Sequence, residues 1–240
     1  MKLQNQVAII TGSSSGIGRG VALAFAREGA AVVVNYPDGT QSQAARSVLD
    51  EITRGGGRAL AVQTDVSVEA DVDRLVAAAL SGFGRIDILV NNAGIAAAAP
   101  VQDIPVEQWD RVIAVHLRGT FLMTRRVLPL LYAQDSGSII NTASQLAYKG
   151  APGFAHYTAA KAAIIAFTRT VALEIGARNV RINSVAPGAT KTPILADVRP
   201  PCSSRFAWPF PSAVSPRSRI SSRPMCSWRA RTRAITRGRP

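Results

Sequence analysis

A tyrosine and a lysine four residues apart close the stretch that begins at Ser144 and runs through twelve residues to Tyr157-Thr158-Ala159-Ala160-Lys161. In a helix that spacing puts the two side chains on one face. A phenol of pKa ~10 is a poor acid–base at neutral pH, and an ammonium beside it lowers that pKa by favouring the phenolate. The pair is then a tunable proton donor for a carbonyl oxygen, and the Ser144 hydroxyl can hold the same oxygen. An exposed helix carrying an incidental Tyr–Lys pair reads the same way, so the choice between the two falls to the sequence upstream.

Upstream stands Thr11-Gly12-Ser13-Ser14-Ser15-Gly16-Ile17-Gly18, directly after an apolar run and directly before a helical pattern. Gly12 permits a tight turn, Gly16 lets backbone approach a pyrophosphate, and Gly18 allows close packing of helix on strand. The helix start at Gly16, Ile17 and Gly18, with Ser14 beside it, offers unpaired N–H donors and the positive end of the helix dipole to an anion. A strand before and a helix after turn a common glycine pattern into a specific dinucleotide signal. Asn35 ends the next apolar run, where an acidic residue would hold the ribose 2′-hydroxyl of NAD. A neutral Asn does not repel a 2′-phosphate, although Tyr36-Pro37-Asp38 adds no Arg or Lys to grip one. NADP(H) is therefore expected ahead of NAD(H). Asp65, with Val66 after it, ends the third run. It reads equally as a partner for the adenine amino group and as a carboxylate at a helix N-terminus.

These residues need elements to position them. Short, almost wholly apolar runs at 7–11, 31–35, 59–63, 86–90, 138–141 and 180–185 read as strands buried on both faces. Segments of helical period lie between them, among them 18–28, 41–54, 68–80 and 106–131. Alternation of this kind predicts right-handed βαβ units in a single α/β domain with a doubly wound parallel sheet of Rossmann type. Ligands of such sheets sit beyond the carboxyl ends of the strands, and the motifs fall there.

Composition narrows the partners. The formal net charge of +13 looks like a nucleic-acid signal until it is divided. Residues 199–240 carry ten Arg and no acidic residue, which leaves 18 basic against 15 acidic side chains, or +3, for residues 1–198. The domain is expected to bind no nucleic acid. No apolar run reaches the ~18 residues of a membrane span, so no membrane partner is expected. The start Met1-Lys2-Leu3 leads straight into a strand without a charged-then-apolar leader, which predicts a cytoplasmic protein. No metal is expected, and both cysteines, Cys202 and Cys226, lie in the basic tail.

Together, Thr11–Gly18, Asn91-Asn92-Ala93-Gly94, Ser144, Tyr157 with Lys161, and Pro187-Gly188-Ala189-Thr190-Lys191-Thr192-Pro193 resemble the short-chain dehydrogenase/reductase family over residues 1 to about 198. The local text is similar to bacterial glucose 1-dehydrogenases and to 3-oxoacyl carrier-protein reductases alike. The resemblance implies hydride transfer between NAD(P)(H) and a small alcohol, sugar or ketone. It implies Tyr157 as general acid/base, Ser144 as carbonyl stabiliser, and Lys161 as ribose ligand and pKa modulator. It also implies that Asn91, with Ala93 and Gly94, lies on the adenosine side, that Thr192, after Pro187 and Gly188, lies near the nicotinamide amide, and that the molecule is a homo-oligomer, tetramer or dimer. One position departs. Where many members carry Asn in an Asn-Leu-x-Gly stretch that holds a relay water, this chain reads Val115-His116-Leu117-Arg118-Gly119. His116 can donate and accept, which leaves an altered relay and a merely packed histidine both open.

From about Val198 the resemblance stops. The family's substrate-covering helices and its last strand, with Tyr-x-Thr-Gly, are replaced by Arg-, Ser- and Pro-rich text of the kind that stays disordered. A shifted reading frame accounts for this. Joining the third base of each codon to the first two of the next, Cys226 to Pro240 can be read as Val-Leu-Leu-Ala-Ser-Pro-Asp-Ala-Arg-Tyr-Tyr-Thr-Gly-Gln-Thr, in which Met225–Cys226 must give Val and Trp228–Arg229 must give Ala. The domain is thus expected at 1–198, with an aberrant tail at 199–240 and no final strand. The expected function is an NAD(P)(H)-dependent oxidoreductase. The alternatives are a catalytically impaired dinucleotide-binding product, because the lid region is lost, and a nucleic-acid binder acting through the ten arginines.

Overall fold

The computed structural model describes residues 1–176 and 178–195. Within them six strands form one parallel sheet: β1 (Val7–Ile10), β2 (Ala31–Tyr36), β3 (Ala59–Gln63), β4 (Ile88–Asn91), β5 (Gly137–Thr142) and β6 (Val180–Val185). The helices are α1 (Gly16–Arg27), α2 (Ser42–Arg54), α3 (Glu69–Phe83), α4 (Val106–Ile113), α5 (Gly119–Ala133), the single turn α6 (Leu146–Lys149) and α7 (Ala155–Glu174).

The order across the sheet is β3-β2-β1-β4-β5-β6, so the chain reverses its direction of winding between β1 and β4. That reversal opens a crevice beyond the carboxyl ends of these two strands. The pleat explains why the strands are apolar throughout. Ile9, Val33 and Leu89 turn to the face covered by α3 and α5, where Leu75, Val76, Met123, Val127 and Leu131 are buried. Ala8, Ile10, Val32, Val34, Ile88 and Val90 turn to the face covered by α1 and α2, against Ala22, Val48 and Ile52. Each helix presents an apolar stripe at helical spacing to one of these layers.

One boundary departs from the expectation. The segment 106–131 is not one α-helix: a π-turn at Ala114–Arg118 separates α4 from α5. A π-turn inserts a residue without breaking the apolar stripe, so periodicity does not register it. The strand read at 180–185 joins the sheet as β6, paired with β5. Among the described residues β6 is an edge strand, and Val185 and Leu173 near it are exposed. The expected aberrant tail and absent last strand lie outside the described residues. No described helix is long and apolar enough to cross a membrane.

Candidate active site

The glycine loop between β1 and α1 is held open by hydrogen bonds from three directions. Gly12 takes a positive φ of 61°, and a Cβ there would stand 2.8 Å from the Ala93 Cα. At Gly18 a Cβ would stand 2.3 Å from the Gly12 carbonyl oxygen, so only glycine lets α1 start this close to the loop. From the β4 side, the Thr11 hydroxyl accepts from the N–H groups of Asn92 (2.9 Å) and Ala93 (3.0 Å). The Asn92 amide donates back to the carbonyls of Thr11 and Gly12. From the β2 side, Asn35 Oδ1 accepts from Gly12 N–H at 2.9 Å. Ser14, also buried, donates to Gln41 Oε1 at 2.5 Å. The turn before Gly16 and the N–H groups of Gly16, Ile17 and Gly18 at the start of α1 form a cradle of backbone donors, which fits a pyrophosphate. Thr192 stands over the loop: a Cβ on Gly16 would meet its side chain at 3.5 Å.

Two residues expected to meet the cofactor have buried side chains, and Asn35 is the first. It is 1% exposed, and its amide nitrogen donates to the Thr64 carbonyl at 3.1 Å, so the side chain ties the loop to β3. Successive strand residues point to opposite faces, and Tyr36, half-buried on the α1–α2 side, is the residue at the rim. Asn91 is likewise turned inward. It donates to Thr124 Oγ1 (3.1 Å) and to Asn141 Oδ1 (2.9 Å), and Asn141 donates on to Thr168, which makes a buried polar ladder across β4, β5 and α7. Asp65 stands in the turn between β3 and α3, ahead of the first turn of the helix. Its carboxylate accepts from the Ser67 N–H and hydroxyl and pairs with Arg111 at 2.9 Å, contacts that hold it below the ordinary aspartate pKa against the opposing pull of desolvation. Val66 beside it is buried against Gly119.

The other half of the site is built on α7 and on the end of β5. Ser144 follows β5 in a turn where its hydroxyl accepts from Leu146 N–H (3.1 Å) and lies close enough to the Tyr157 phenol to lower its pKa. Tyr157 is half-buried, and its ring meets His116 edge-on at 5.2 Å and Phe154 at 6.0 Å. Lys161, 3% exposed, places Nζ 5.7 Å from the Tyr157 ring centre and donates to the Thr142 carbonyl at 2.5 Å. Gly94 lies under His116, close enough that a Cβ would meet the imidazole at 2.4 Å, so the β4 loop and Tyr157 share one side chain between them.

The electrostatics of the pair follow from its burial. Burial pushes the Tyr157 phenol above its ordinary value, and the nearby Ser144 hydroxyl offsets this only in part. The same burial brings Lys161 down to about 7. With Nζ committed to Thr142 and its charge disfavoured, Lys161 does not reverse the effect of desolvation on the phenol.

Sequence reading missed four side chains that shape the site. Asn92 and Gln41 brace the loop, and Asn141 links the sheet to α7. Gln145 follows Ser144 and takes the Pro187 carbonyl through its backbone N–H, while its carboxamide reaches the side of Gly188. Only the doubled Asn91-Asn92 gave any signal.

The family model for short chain dehydrogenases matches residues 6–203. The chain belongs to the short-chain dehydrogenase family. It is 47% identical over 190 residues to a 3-oxoacyl-[acyl-carrier-protein] reductase of Synechocystis, an alignment covering 79% of this chain and 76% of that protein. It is 43% identical over 196 residues to 3beta-hydroxysteroid dehydrogenase 1 of Eggerthella lenta, covering 81% and 74%. It is 42% identical over 194 residues to the BbsD subunit of a (2S)-[(R)-hydroxy(phenyl)methyl]succinyl-CoA dehydrogenase of Thauera aromatica, covering 81% and 77%. This short-chain dehydrogenase is thus an NAD(P)-dependent oxidoreductase, and the substrates named for its relatives differ widely. Among its described residues no cluster of potential metal ligands occurs.

Proposed function

We propose that the chain interconverts a secondary alcohol and a ketone at Ser144, Tyr157 and Lys161. The observation that carries this reading is the Tyr157 phenol close to the Ser144 hydroxyl and beside buried Lys161, at the same sheet end as the glycine cradle. A nicotinamide dinucleotide bound there supplies or accepts the hydride. Gly12, Gly16, Ile17 and Gly18 hold its pyrophosphate by backbone N–H, and Lys161 reaches its ribose. Ala93, Gly94, Pro187, Gly188 and Thr192 line the path towards the reacting end. Ser144 orients the substrate oxygen. Tyr157 gives its proton to that oxygen in reduction and takes it back in oxidation. Its raised pKa keeps the phenol protonated through the neutral range, the form from which reduction starts.

NADP(H) is the proposed preference over NAD(H), on a basis different from Asn35. Tyr36 and Pro37 at the rim are uncharged, and the Asp38 carboxylate is occupied by Thr40 N–H and hydroxyl. That carboxylate keeps its charge, but it is tied back to Thr40, and the residues that end β2 and follow it, Tyr36 and Pro37, carry none. The molecule is proposed to self-associate, with Val106 and Trp109 of α4 and Phe121 of α5 exposed for it.

Residues 199–240 are proposed to be the product of a shifted frame, which makes catalytic impairment the competing reading. Sequencing codons 190–210 of the gene checks the frame. NADPH oxidation by the chain as it stands and by the frame-corrected chain, across a panel of ketones, checks the function. Turnover abolished by Tyr157→Phe supports the Ser–Tyr–Lys reading. Turnover in neither chain overturns it.

A further inference from the structure

His116 is one of only two histidines in the chain, and its placement is specific. It is 1% exposed and sits in the π-turn between α4 and α5, a distortion that recurs at functional sites. Its Nε2 lies 2.7 Å from the Ile95 carbonyl oxygen and 3.1 Å from the Ile95 nitrogen. One nitrogen cannot donate and accept at once, and the shorter contact is to an acceptor, so Nε2 carries the proton. Nδ1 is then a bare lone pair, buried and without a partner among the described residues. The ring stands edge-on to Tyr157 and presses on Gly94, and the missing Cβ of Gly94 makes the space for it.

We propose that His116 is a positioning residue, a neutral imidazole fixed as the Nε2–H tautomer that ties the Ile95 backbone to the Tyr157 ring. This rests on Tyr157 being the acid–base group. Burial keeps the imidazole uncharged, Lys161 and His156 act in the same direction, and the bond to Ile95 acts against them. Burial first, and then the Lys161 charge, bring its pKa down to about 3. Of the two open readings for this histidine, a proton carrier is set aside, since the imidazolium would not form near neutral pH. A passive packing role is set aside because the ring's polar edge is committed to the backbone that follows Gly94. A charge-silent strut serves the reaction in a definite way. A cation at 5.2 Å from the Tyr157 ring would favour the phenolate, whereas a neutral ring holds the phenol in place and leaves its proton on it.

The test has two arms. Histidines labelled with 15N are read by NMR from about pH 8 to about pH 5, the range in which an ordinary histidine titrates. The two signals are assigned with a His156→Gln variant. The proposal expects one neutral Nε2–H imidazole for His116 that does not titrate. A charged or Nδ1–H ring overturns it whether or not the protein turns over, which separates this failure from failure of the proposed reaction. In the kinetic arm, His116→Phe keeps the ring shape without its nitrogens. It should lower kcat at least about tenfold, leave the cofactor KM within about twofold, and shift the pH profile, while His116→Asn, which can still donate to Ile95, recovers most of the loss. A His116→Phe enzyme with parental kcat and pH profile overturns the proposal, and if that variant fails to fold the NMR arm decides.

Discussion

The two halves of the cleft spend their polar groups in opposite ways. Around the glycine loop Asn35, Ser13, Asn92 and Thr11 are tied to backbone or to each other and Ser14 to Gln41, with Thr64 Oγ1 and Asn91 Oδ1 the neighbouring exceptions. Around Tyr157 the reverse holds. Lys161 is buried without a carboxylate partner, and the Nδ1 atoms of His116 and His156 have no partner among the described residues. The first half is built for shape, because a backbone cradle must be rigid to match a pyrophosphate. The second carries an electrostatic cost, because groups that move protons must be held away from their ordinary pKa values. Stability and chemistry should therefore separate when the two halves are altered.

The largest separation is expected at Lys161. Lys161→Met removes a buried charge that only a carbonyl compensates, so the melting temperature should rise even as turnover falls by at least ~10²-fold. The pH dependence should change with it. The folded-state pKa of about 7 lies below the ordinary 10.5, so between these values the unfolded chain binds more protons and stability climbs with pH. The variant should lack that climb. Paired denaturation and turnover measurements check both, and a variant that loses stability together with activity would break the comparison.

Across the cleft, Asn35→Asp should act through structure. The carboxylate can still accept from Gly12, but it cannot donate to the Thr64 carbonyl, which costs about 1–3 kcal/mol for a buried group left unmatched. Affinity for both NAD(H) and NADP(H) should weaken together. A shift of preference towards NAD(H) is expected instead from Tyr36→Asp, and titration of each variant with both cofactors distinguishes the two positions.

These two residues show what was legible and what was not. The sheet could be read because its strands, buried on both faces, are apolar throughout, and the glycine loop because its spacing follows from backbone geometry. Direction on a strand could not be read so well. A one-residue step reverses the face, so Asn35 and Tyr36, or Asn91 and Asn92, exchange roles at no cost to the motif. The catalytic pair was legible from its spacing of four, but not its pKa values, which depend on how deeply the packed chain buries it. The bond from His116 to Ile95 spans 21 residues across two elements, and only the fold brings the two together.

A smaller effect is expected in acid. His116 stays neutral in the fold down to about pH 3, while in the unfolded chain it takes up a proton below its ordinary 6.5. Stability should therefore decline as pH falls from 6.5 towards 3, with His116 contributing at most about 1.4 kcal/mol per pH unit. His116→Asn should flatten this limb, as read by urea denaturation at a series of pH values. An unchanged slope would mean that the imidazole is already charged in the fold.

The central claim is that the Tyr157 hydroxyl carries the proton in a site whose cofactor cradle is separate from it. Tyr157→Phe removes that oxygen and leaves the glycine loop untouched. Single-turnover reduction of a ketone by bound NADPH measures the chemical step directly, with cofactor affinity read on the same sample. The account predicts a loss of ~10²–10⁴-fold in the chemical step with affinity within about twofold. Residual activity above about a tenth, or a loss that lies wholly in cofactor binding, would contradict it.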